Sequence, residues 1–548
     1  MGTSQVIELL VWLLIAASVI GVLAARLRVP YTVALVIGGL ALGSLHHLPI
    51  LQSLAELGRT NWLTPDIVLV LFLPPLLFEG SIKIDLFRLR QNVIPIVLLA
   101  TLGVLAATLI TGVAVHWAFG APWLVALIFG AIVSPTDPVS VIAIFEEMGV
   151  DKRLTMILEG ESLFNDGTAV VLYGILVAGF SAGRLGVATG FEQFVVIVLG
   201  AVAVGAILGY AFSAITQRIN EPRIEITLTT ILAYSSYLVA DAVHLSGVIA
   251  VASAGIVLGN VGARRGMSAR TRVAVWSFWE YASFVINSLL FLIIGMRVHI
   301  GELAEAWQAT LLAVGAVLLG RAIPVYSLVP VSNIITTKVP LRWQPVLIWG
   351  GLRGALALAL ALSLPATIPF RDSLLAWTFG VVAFSIIIQG LTIKPLLRLL
   401  GMCGTPETDY SRARVLEAAF ASARQELDHL LNAHVLSKTV HARLRSQLDS
   451  ELQKVEEGIA ALYAQNAVAA EEELNAARVR LTAAERSAIQ GAVYDGTISP
   501  ATAAALIDEA GRHLDELLSR VREGPPVLPE NSDGSGTTPA GNESPPRP

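Results

Sequence analysis

The chain has 548 residues, of which 55% are hydrophobic and 14% charged, against about 45–50% apolar and about 25% charged in a soluble domain. The apolar excess lies before Leu400, in runs of the length that crosses a bilayer, which excludes a wholly soluble protein and points to an all-α polytopic membrane protein. From Thr405 onward 14 Lys/Arg meet 22 Asp/Glu, while the membrane part is weakly basic within a total of −5, a balance that argues against nucleic acid as a partner.

In chain order, apolar runs fall near 6–25, 31–45, 66–82, 93–118, 122–145, 154–180, 191–216, 224–243, 247–262, 276–296, 309–336, 343–364 and 373–397. By length they predict about 13 transmembrane helices in one lipid-embedded unit, residues 1–404. The first run has neither a basic leader nor a small-residue cleavage site and reads as a span. With the loop after the first span assigned to the cytoplasm and sides alternating, 17 Lys/Arg fall in cytoplasmic loops and four outside. That bias predicts an N-terminus outside and a C-terminal tail in the cytoplasm. Residues 405–523 read as a helical cytoplasmic domain, with Ser499 capping a helix that starts at Pro500. Residues 524–548 are rich in Pro, Gly and Ser and read as disordered. Cys403 is the single cysteine and the nine histidines show no ligand spacing, so no resident metal or cofactor is expected.

Six charged residues sit inside spans: Glu79, Asp137, Glu161, Asp166, Arg321 and Arg353. A charge at the bilayer centre costs ~2.5 kcal/mol or more, so each one requires a reason. In "SPTDPVSV", Pro135 and Pro138 flank Asp137 and Thr136. Each proline removes a helix hydrogen bond, so this span is expected to break and free carbonyls beside the acid, as in secondary transporters. Arg353 lies among Gly350, Gly351 and Gly354, which permit a second unwound turn. The two breaks fall at equivalent places in two six-helix halves, the arrangement expected of inverted repeats whose broken helices cross at mid-membrane.

"GESLFNDGTAV" carries Glu161, Ser162, Asn165 and Asp166. On a helical wheel, with Ser162 at 0°, Asn165 falls near about −60°, Asp166 near about +40° and Glu161 near about −100°. Ser162, Asn165 and Asp166 then share an arc able to offer oxygens to one cation. Glu161 faces elsewhere and needs a buried cationic partner, either Arg321 or Arg353. Hard alkali cations want several oxygens, for which Asp166, Asp137, Ser162 and the freed carbonyls are the candidates. Glu79, after the double proline of "FLPPLLFEG", lies near the cytoplasmic end of its span.

Taken together, "FLPPLLFEG", "SPTDPVSV", "GESLFNDGTAVVLY" and "GGLRGALALALALSLP", in this order, resemble the cation–proton antiporter-1 family of sodium/proton exchangers. The resemblance spans roughly residues 6–400. It implies a homodimer of thirteen-helix protomers with dimerisation and core subdomains. It also implies a plasma membrane location and a role in pH homeostasis. Asp166 would be the essential carboxylate that binds either cation or proton, with Asn165 beside it. Asp137 and Thr136 would complete the site, helped by Ser162 and Glu79. An Asn–Asp pair at this place implies electroneutral exchange. The expected function is therefore Na+ (or Li+) exchange for H+, in a transporter and not an enzyme. The alternatives are K+/H+ exchange by the same mechanism, or a non-transporting ion or pH sensor acting through the tail. In the sensor, deleting 405–548 would abolish function.

Overall fold

The computed structural model describes residues 3–27, 29–44, 67–183, 186–217, 219, 221–263, 267, 269–297, 307–402, 406–432, 436–465, 502 and 506. Among the described residues the regular elements are helical, joined by short connections. The chain forms two compact units, Met1–Thr405 and Pro406–Pro548. Cys403, the Ser499–Pro500 start and the segment 524–548 lie outside the described residues.

In the first unit, α1 (Thr3–Leu27) and α2 (Tyr31–Ser44) lead to α3 (Leu73–Lys83), which continues from a π turn at Ile67–Phe72. Then come α4 (Leu86–Gln91), α5 (Val93–Phe119), α6 (Trp123–Ile132), α7 (Val139–Met148) and α8 (Lys152–Ser181). They are followed by α9 (Val187–Thr216), α10 (Pro222–Ala242), α11 (Gly247–Gly262), α12 (Ala269–Arg297) and α13 (Trp307–Ile335). The unit closes with α14 (Gln344–Trp349), α15 (Ala355–Leu362) and α16 (Arg371–Leu399).

Each apolar run read from the sequence coincides with a helix or, for the fifth and twelfth, with a pair of half-helices. Among the described residues, six helices are long and apolar enough to cross a membrane whole. The half-helices α6/α7 and α14/α15 are too short to do so alone. Their breaks have the expected local causes. Residues 133–138 hold Pro135 and Pro138, and the chain from Gly350 to Gly354 adopts extended backbone at Gly354. The two breaks meet antiparallel. Asp137 N donates to Leu352 O at 2.7 Å, a lone β-type bridge in an otherwise helical neighbourhood.

Close helix contacts are made by small residues, as expected where lipid removes the hydrophobic drive between helices. At the α2–α12 crossing a Cβ on Gly39 would stand 2.2 Å from Leu292 O. The apolar interior falls into one large cluster, a second around α1, α2, the end of α12, α15 and α16, and a small third between α8, α9, α10 and α11. This second cluster takes in Leu289 to Met296 of α12. A cavity of mixed polar and apolar lining takes in Glu280, Ser283, Asn287 and Leu290 of the same helix. Along α12 the cavity and the apolar cluster meet at Leu290, which belongs to both.

In the second unit α17 (Pro406–Asn432) and α18 (Lys438–Gln465) pair as a hairpin. Asp428 accepts from His441 Nε2 at 2.8 Å and from Arg445 at 2.9 Å.

Candidate ion-binding site

The crossing of the broken helices is held by side chains from α8, α13 and α16. The carbonyls freed after α6 are engaged: Arg353 Nη1 donates to Ser134 O at 3.1 Å and to Pro135 O at 3.3 Å, and Ser162 Oγ makes a short bond to Thr136 O. On the other chain segment, Arg321 Nη2 donates to Leu347 O at 3.0 Å. Arg353 N donates to Ser385 Oγ at 2.9 Å, and Gln389 Nε2 reaches Trp349 O. Ser385 in turn donates to Gln389 Oε1 at 2.5 Å, inside a π turn of α16. Guanidinium groups and polar side chains thus replace the missing helix hydrogen bonds, the condition for non-helical backbone at this depth. The expectation that these carbonyls are open to a cation does not hold for Ser134 and Pro135, because Arg353 takes them.

Glu161 finds Arg321 and not Arg353. The pair is bidentate, with Nη1–Oε1 at 2.7 Å and Nη2–Oε2 at 2.8 Å, and Glu161 is fully buried. Such fork-to-fork geometry is the strong form of a charge-assisted hydrogen bond.

The two ends of the Asn165 amide have different surroundings. Its Nδ2 donates to Thr136 Oγ1 at 3.1 Å and to Glu161 Oε1 at 3.2 Å. It therefore ties the ion pair to the first broken segment, behind the cavity wall. Asp166, Asp137, Ser162 and Thr136 do border one cavity, of about 460 Å³. Asp137 Oδ1 caps α7 by accepting from Val139 N at 3.0 Å. Asp166 Oδ1 and Asn165 Oδ1 are buried and accept no hydrogen bond among the described residues. Buried acceptors without donors are rare, and each needs a ligand or a proton.

Gly354 makes the approach of the two segments possible. A Cβ there would stand 2.5 Å from Asp137 Cβ and 2.6 Å from its Oδ2.

The family model for the transmembrane sodium/hydrogen exchanger matches residues 13–399. The chain belongs to this family. It is 42% identical over 381 residues to the Na+/H+ antiporter ApNhaP of Aphanothece halophytica, covering 69% of this chain and 71% of that one. It is 36% identical over 460 residues to the Na+/H+ antiporter NhaG of Bacillus atrophaeus, covering 82% and 85%. Its fold is similar to that of the sodium proton antiporter MjNhaP1 from Methanocaldococcus jannaschii, with a TM-score of 0.59 at 23% identity, over 72% of this chain and 100% of that one.

In this exchanger-family chain the cavity wall also holds residues that the sequence reading passed over. Glu159 of α8 and Glu280 and Asn287 of α12 line it. Glu159 precedes Asp166 by seven residues, two turns, and so shares its face; the wheel drawn from Gly160 stopped one residue short. Glu280 is the lone acid of its apolar run and carried the same signal as the six residues singled out. Glu79 lines the cavity too, with its carboxylate 2.5 Å from Lys83 Nζ.

Proposed function

We propose that this chain is a secondary active antiporter that exchanges Na+ for H+, one for one and without net charge, by alternating access. The observation that carries the reading is the free Oδ1 of Asp166 beside a cavity that Asp137, Thr136 and Ser162 also border. Relatives named as Na+/H+ antiporters support the choice of ion.

A carboxylate withdrawn from water holds a proton more firmly, and a cation at the same oxygens displaces it. Asp166 then carries one or the other. Asp137, Thr136 and Ser162 supply the remaining oxygens that a hard cation requires. Ser162 Oγ gives its hydrogen to Thr136 O and keeps lone pairs for the cation. Asn165 acts as a positioning residue. Being uncharged, it leaves Asp166 as the titrating member of the Asn–Asp pair, which is the basis for electroneutral exchange. Glu161 and Arg321 anchor the site, while Arg353 holds the broken helix in shape.

The cavity opens at the ends of α3, α7 and α8, where Lys83, Glu146 and Thr155 line it. The basic loops lie at the same ends, which supports a cytoplasmic opening, an N-terminus outside and the tail inside. The apolar cluster at Leu289–Met296 closes the opposite way. Exchange follows if α5–α8 with α13–α16 move as a core against α1–α3 and α9–α12, and only when Asp166 is loaded. The latter helices would form the dimer contact in the plasma membrane.

The test uses proteoliposomes with an imposed pH gradient, to which Na+, Li+ or K+ is added with the membrane potential clamped and unclamped. Equal collapse by Na+ in both conditions supports electroneutral exchange. Collapse only under the clamp contradicts the stoichiometry, and a response to K+ alone reassigns the ion.

A further inference from the structure

Lys83 ends α3, and its ammonium lies 2.5 Å from Glu79 Oε1, one turn earlier. Both side chains line the cavity that reaches Asp166. Their exposures, 35% for Lys83 and 17% for Glu79, place the pair at the mouth, half withdrawn from water. Two more carboxylates line the same cavity, Glu159 from α8 and Glu280 from α12. A tethered monovalent cation therefore stands among the acids that a free monovalent cation meets on its way to Asp166.

A helix-surface pair at this spacing contributes little to stability. Carboxylates from three helices around one cavity, with an ammonium at its mouth, exceed what a helix end requires. Ammonium and alkali ion carry the same charge, so carboxylate oxygens engaged by Lys83 are withheld from the incoming ion. We propose that Lys83 is a built-in competitor for the transported cation, holding Glu79 until an entering cation displaces it and thereby setting the apparent affinity at the mouth of the cavity. The inference rests on the antiport reading and adds a specificity-determining residue to it.

The experiment measures the Na+ dependence of exchange by the full-length protein in proteoliposomes, for wild type, Lys83→Gln, Lys83→Arg and the double variant Glu79→Gln/Lys83→Gln. Removing a local competitor from a half-exposed pair is expected to lower KM for Na+ by about three- to fivefold in Lys83→Gln, with the maximal rate within about twofold. Lys83→Arg keeps the wild-type KM, and the double variant loses the gain because Glu79 is no longer there to be released. An unchanged KM in Lys83→Gln overturns the inference while leaving the antiport reading intact, and so does an equal fall in Lys83→Arg. A wild-type protein that exchanges no cation overturns both. Should Lys83→Gln fail to insert, Lys83→Met, which keeps the apolar stem, carries the same comparison.

Discussion

Asp137 donates its backbone amide to the carbonyl oxygen of Leu352 at 2.7 Å, and through this bond the two broken helices are tied where they cross. The bond brings the carboxylate of one segment against the backbone of the other, with Gly354 directly beneath it. Gly354→Ala is expected to push Asp137 out of place and to slow exchange by about 10- to 100-fold, while the protein still inserts and folds. Gly174→Ala is the control. No atom stands within 4 Å of the added Cβ there, and alanine favours the helix, so exchange should stay near wild type. Transport assays on the two variants check the pair.

The ion pair of Glu161 and Arg321 lies behind the site. Glu161→Gln strands a buried guanidinium, which typically costs ~3–5 kcal/mol. The expected result is a clear fall in Tm on thermal unfolding of purified protein, partly recovered in Glu161→Gln/Arg321→Met. Intact thermal stability with altered ion affinity alone would show that Glu161 belongs to the cation site.

Much of this arrangement was legible in the sequence because its causes are local. Prolines break α6/α7 and glycines break α14/α15, and both residue types act on their own backbone. Glu161 faces away from Asp166 because helical spacing requires it. The choice between Arg321 and Arg353 was not legible, since it depends on how α13 and α14 pack against α8. Asn165 was legible only in part. The wheel set it about 40° from Glu161 and about 100° from Asp166, yet its chemistry suggested grouping it with the acid. The four-residue spacing to Glu161 decides where its Nδ2 goes, as side chains at i and i+4 are neighbours, while its Oδ1 keeps no donor. Ser385 and Gln389 gave no signal at all, because their role comes from facing an unwound strand nearly forty residues earlier in the chain.

The tail hairpin carries a titratable contact of its own, between Asp428, His441 and Arg445. The hydrogen bond from His441, with Arg445 alongside, holds the Asp428 carboxyl below its ordinary range. A depressed folded-state value gives stability that is present above the unfolded value and lost as pH falls through the folded one. Protection factors for amide hydrogen exchange over residues 406–465 of the full-length protein, corrected for the intrinsic rate at each pH, should therefore fall on acidification below the usual carboxylate range. Asp428→Asn should remove that dependence. An acid response unchanged in the variant would assign it to another group.

The central claim is that proton and cation compete for Asp166. The most direct measurement is calorimetric titration of Na+ into the purified full-length protein, in two buffers of different protonation enthalpy, which counts protons released per cation bound. Competition requires about one proton released per Na+ where Asp166 is protonated beforehand, and neither binding nor release in Asp166→Asn. Na+ binding without proton release, or binding and release unchanged in Asp166→Asn, would contradict it.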